Sequence, residues 1–186
     1  MLKANNQLIG KNRIKYLTIL SLLFVLLTSN SNTQAGQNKH MALINDVSFH
    51  NKNFGNKNAE NGFIVNFNGD NYAITAKHIL MIVKTDKMNF VDFSGELKQW
   101  KMYDKNDSSH HLIIDKLLNE NKSEKLDWDT LQDDWIVFSI KDNKTGYQPL
   151  KFRQDSLIKG EKLYVVGWAY QDKEGPQRIY EFEFDE

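Results

Sequence analysis

From residue 61 onward the chain is a succession of short apolar-rich runs separated by turn residues, the pattern of strands. Gly62–Phe67 (GFIVNF) is the first run and Tyr72–Thr75 (YAIT) the second. Between them, Asn68-Gly69-Asp70-Asn71 predicts a hairpin turn, because Asn-Gly supplies the positive φ angles that a tight turn requires. Met88–Phe93, Leu97–Tyr103, Trp135–Ile140, Lys162–Trp168 and Arg178–Phe184 are further predicted strands. His111–Asn119 is ambiguous: Leu112, Ile113, Ile114, Leu117 and Leu118 suit a short helix, and the first three also suit a buried strand. Residues 119–127 are polar and charged and predict a loop. Seven asparagines between 36 and 61 predict loops joining short strands. No internal repeat is visible. Many short strands with tight turns predict an all-β fold, a barrel or a sandwich.

The N-terminal segment has a different pattern. Lys11-Asn12-Arg13-Ile14-Lys15 is basic, Tyr16–Leu27 is mostly apolar, and a polar stretch then ends in Thr33-Gln34-Ala35 before Gly36. That order predicts a secretory signal peptide over residues 1–35, with Ala35 the last residue removed. The apolar run is shorter than the ~20 residues a membrane span needs, so no stable membrane span is predicted. The expected location is secreted or periplasmic.

Composition narrows the picture. The chain of 186 residues has formal net charge zero, which gives no argument for a nucleic-acid partner. Lys3, Lys11, Arg13 and Lys15 are the only charged residues of 1–35, leaving 20 Lys and Arg against 24 Asp and Glu, net −4, in the remainder. The chain has no cysteine, which excludes disulfides, cysteine-ligated zinc and a cysteine nucleophile. Burial alone must hold an exported chain of this kind together.

The chemistry-bearing residues lie in three segments. Asn61-Gly62-Phe63-Ile64-Val65 leads through the hairpin to Ala73-Ile74-Thr75-Ala76-Lys77-His78. Asp133-Asp134 opens the apolar run Trp135–Ile140. Lys159-Gly160-Glu161-Lys162 leads into Leu163–Trp168. In this order the three segments, spanning Asn61 to Trp168, resemble the histidine, aspartate and second-barrel segments of trypsin-like serine peptidases. Lys77 stands where that family has a small residue. The resemblance implies a complete first β-barrel over 36–145 and a partial second barrel over 146–186. It implies His78 as general base and Asp134 as the carboxylate that orients it, with Asp133, one residue out of register, as the fallback. The other histidines, His40, His50, His110 and His111, read as ordinary surface or core residues, and His110-His111 does not suggest a metal site.

The family's serine lies in a Gly-Asp-Ser-Gly-like turn beyond the third segment, and no serine follows Trp168 here. The serines after His78 are 94, 108, 109, 123, 139 and 156, and none has glycine on both sides. Ser156 precedes the second-barrel strand and is followed by bulky Leu157. The expectation is therefore a C-terminally truncated peptidase or inactive homologue, with a peptide or protein substrate if the resemblance holds, and with neither cofactor nor metal. A non-catalytic binding protein on the same barrel is the alternative. An open edge in the second barrel would favour self-association.

Overall fold

The computed structural model describes residues 42–129, 133–168 and 175–185; the predicted signal peptide and His40 lie outside them. Six strands form the frame: β1 (Leu43–Phe49), β2 (Gly55–Phe67), β3 (Asp70–Thr75), β5 (Leu97–Asp104), β6 (Asp107–Leu117) and β8 (Ile136–Asn143). They pair antiparallel in the order β1-β5-β6-β8-β3-β2, and β2 pairs back to β1, so the sheet closes into a barrel. The predicted all-β barrel is present.

Alternation explains which residues face inward. Ile64 joins the main core with Val47, Trp100, Leu112 and Phe138, while its neighbours Phe63 and Val65 form a second cluster with Ile74 on the opposite face of the sheet. Tyr72, Val137 and Leu150 cover that outer cluster. β2 is therefore apolar on both faces over Gly62–Val65, and the sequence there is a continuous apolar run. Within the barrel Trp100 lies 4.9 Å from Phe138 between ring centroids, and Phe93 packs on both. The Trp100 indole N–H donates to Oδ1 of fully buried Asn45 at 2.7 Å, so the polar atom at the centre of the core is satisfied. Gly62 lies in a crowded place: a Cβ there would fall 2.7 Å from Met102 Sδ and 3.1 Å from the Ile74 carbonyl oxygen, so the Met102 side chain would have to shift.

Asn68 (φ 52) and Gly69 (φ 93) make the two-residue turn that pairs Phe67 with Asp70, as Asn-Gly predicts. Other predictions are corrected. The asparagine-rich segment up to residue 61 is not mainly loop, since it contains β1 and the first half of β2. Pairing to β1 overrides the turn preference, and the irregularity is concentrated in two bulges. Asn45 pairs with Ala59 and Asp46 with Lys57, which leaves Glu60 (φ 50) and Asn58 (φ 66) as the extra residues. The ambiguous stretch at 111–119 is strand to Leu117, held between β5 and β8. The predicted loop at 119–127 contains β7 (Asn121–Lys125), which pairs with β4 (Phe90–Val91), the only strand within the predicted run Met88–Phe93. A short helix, α1 (Ile79–Val83), follows β3 and buries Ile79, Leu80 and Val83.

Beyond residue 145 the described residues form β9 (Leu150–Lys151), β10 (Lys162–Gly167) and β11 (Arg178–Glu183). β9 pairs parallel with β2 at Val65 and Asn66 and so belongs to the barrel's own sheet. β10 and β11 form a separate two-stranded sheet. It meets the barrel where Gly167 approaches Asn61 and where the Gln177 amide donates to the Ala42 carbonyl. The expected partial second barrel is thus a single hairpin among the described residues. Ile179 and Phe182 on it are exposed.

Candidate active site

β3 and β8 are neighbours in which Thr75 stands opposite Ile136. Three residues past Thr75 is His78, and two residues before Ile136 is Asp134, so this register delivers both to the same end of the barrel. The end of β3 is pinned by the buried Thr75 hydroxyl, which donates to the Asn61 carbonyl at 2.8 Å and accepts from Asn45 Nδ2 at 3.1 Å. His78 then occupies the N-cap position of α1.

Asp134 clamps His78 twice. Its Oδ1 accepts the His78 backbone N–H at 2.8 Å, and its Oδ2 lies 2.7 Å from the ring Nδ1. A carboxylate only accepts, so Nδ1 carries the proton of this bond and the neutral ring keeps its lone pair on Nε2. Of the adjacent pair, Asp134 is the one bonded to His78. Asp133 has φ 40 and its carbonyl accepts from the Trp135 N–H at 2.6 Å, which folds the chain tightly around Asp134 and leaves the Asp133 side chain exposed.

Sequence reasoning missed two neighbours of the imidazole, Glu60 and Trp128. Glu60 Oε1, from the bulge in β2, stands 4.0 Å from His78 Nε2. The Trp128 ring lies 5.8 Å from the imidazole at an interplanar angle of 30° and is 58% exposed. Lys77 is buried, and its Nζ meets Glu124 of β7 at 2.8 Å. A lysine at this place is thus accommodated by a carboxylate on a strand that reads as a loop. No local pattern links residues so distant along the chain.

The electrostatics follow from these contacts. Burial pushes the His78 pKa down, but the hydrogen bond and charge of Asp134, assisted by Glu60, outweigh it, and the pKa lies above its ordinary value of 6.5. A histidine with a raised folded pKa adds stability that is complete below the unfolded value and fades as pH rises through the folded one. The stability difference between the wild-type chain and His78→Gln is therefore expected to shrink as pH rises above 6.5. Urea unfolding at several pH values checks this, and a difference that grows with pH contradicts it.

None of the described serines bonds His78. The Ser94 and Ser109 hydroxyls donate to Asp92 and Asp107, and the Ser139 hydroxyl accepts the Lys116 N–H and reaches Asp115. His110 lies 3.7 Å from Asp107, while His111 Nδ1 donates to the Ser109 carbonyl, so the adjacent pair does not converge. Among the described residues no group of three or more His, Asp or Glu could hold a metal ion, and no helix is long and apolar enough to cross a membrane. The arrangement can accept a proton at Nε2 and stabilise the resulting imidazolium through Asp134. No family model matches the chain, and no match is found among the curated proteins or the solved structures.

Proposed function

We propose that this chain carries the general base and orienting acid of an exported trypsin-like serine peptidase, with His78 and Asp134 in those roles. The observation that supports this best is the double clamp of Asp134 on the His78 backbone and Nδ1, at the end of two adjacent strands of a closed six-stranded barrel. A carboxylate in that position fixes the ring's tautomer and orientation and stabilises the imidazolium formed when Nε2 takes a proton from a hydroxyl nucleophile. The substrate class is peptide or protein. None of the serines after His78 has glycine on both sides as the family's nucleophile does, so the 186-residue chain alone is expected to be inactive. The serines' existing bonds favour the second reading, a non-catalytic binding protein on the same barrel, should no nucleophile be supplied.

The test begins with the coding DNA beyond codon 186. A Gly-Asp-Ser-Gly-like stretch there would be joined to the chain and the longer product treated with a fluorophosphonate probe. Labelling of its serine is expected, reduced by roughly 10⁴-fold or more in His78→Ala and Asp134→Ala, with no labelling of the 186-residue chain. Absence of such a stretch in every frame, or labelling indifferent to His78, rules the peptidase reading out.

A further inference from the structure

With Nδ1 bonded to Asp134, Nε2 is the His78 nitrogen left to exchange a proton with a reacting group. Glu60 is the charged group at that nitrogen, with Oε1 4.0 Å away. Its backbone is held in an unusual place. At φ 50 it adopts the left-handed region as a non-glycine residue, at the second bulge of β2. Its carbonyl accepts from Nδ2 of buried Asn45 at 3.2 Å, and the same Asn45 is tied to Thr75 and Trp100. The main chain of Glu60 is therefore anchored to the core. Its side chain, 42% exposed, is free to change rotamer.

We propose that Glu60 is a positioning residue that latches His78. With its carboxylate at Nε2, the imidazolium is bracketed by two carboxylates and does not accept a further proton. With the carboxylate swung to solvent, Nε2 becomes available as a base. The inference rests on the reading of His78 as the base of the site. The groups facing His78 come from three elements: Asp134 from the turn before β8, Glu60 from β2, and the uncharged Trp128 ring from the segment after β7. The adjacent Lys77 directs its ammonium to Glu124. The raised His78 pKa, to which Glu60 contributes, agrees with this arrangement.

The experiment is an NMR titration of the His78 ring in the full-length chain. Glu60→Gln is expected to lower the titration midpoint, and Glu60→Asp, which keeps the charge on a shorter arm, to fall between Gln and wild type. The downfield Nδ1–H signal of the Asp134 bond is expected to persist in both variants. An unchanged midpoint in Glu60→Gln overturns the latch. Loss of the Nδ1–H signal overturns it too, because Glu60 would then act on the clamp's structure and not on Nε2. No turnover is involved, so a negative result here leaves the peptidase reading standing. A longer product that fails to label removes the peptidase reading without touching the charge coupling.

Discussion

Replacing Lys77 by methionine is expected to lower the unfolding free energy by about 3 kcal/mol, the low end of the range for removing one partner of a buried ion pair. Lys77 and Glu124 have side chains only 5% and 10% exposed, with Nζ and Oε1 2.8 Å apart. Removing the ammonium leaves the carboxylate in a site where water can do little to solvate it. The double variant Lys77→Met/Glu124→Leu separates the lost charge from the lost packing. It should regain most of the loss, since well-packed apolar replacements of a buried pair are often neutral. Urea denaturation of the two variants checks this. A single-variant loss of ~1 kcal/mol or less, the magnitude of an exposed pair, would show that solvent reaches the site.

Asp134→Asn is expected to cost about 1.5–3 kcal/mol, the magnitude of a hydrogen bond to a charged group. The substitution is nearly isosteric, and the amide oxygen can still accept the His78 backbone N–H. The other atom becomes a donor facing Nδ1. The ring must then present an acceptor at Nδ1 and carry its proton on Nε2, the wrong tautomer for a base. The His78 pKa should also fall, because the hydrogen bond and charge that raise it are gone while burial remains. Thermal or urea unfolding measures the cost, and the ¹⁵N shifts of the ring report the tautomer. A variant that keeps Nδ1 protonated would show that the carboxylate does not dictate the ring's state.

The contact of His78 with Asp134 was indicated in the sequence by the resemblance of their segments to a peptidase motif, which left Asp133 open as the fallback; composition marked only the apolar strands beside them. The turn at Asn68-Gly69 was legible because its φ angles demand those residue types. Glu60 and Trp128 were not. Glu60 reaches the imidazole because two bulges shift β2 against β1, and nothing local in Asn56–Asn61 marks where the extra residues fall. β7 was hidden for a related reason. Asn-Lys-Ser-Glu-Lys has no apolar alternation, and its strand geometry comes from pairing with β4 and from the buried contact of Glu124 with Lys77. The second barrel was expected from the Gly-Glu-led strand at Lys162, and that strand does form, but a strand's existence says nothing of how many partners it finds.

The length of β2 has a mechanical consequence. One edge of this strand is bonded to β1 over Gly55–Gly62 and then to β9 at Val65 and Asn66, while its other edge carries β3. The residues that follow the barrel are therefore moored only five positions from Glu60, on the same taut length of backbone. An extended chain has almost no slack at ~3.3 Å per residue. Tension applied to the segment after Lys151 would pass through the backbone pairing of β9 with β2 and then along β2 to the carboxylate beside His78, and not through the soft packing of side chains.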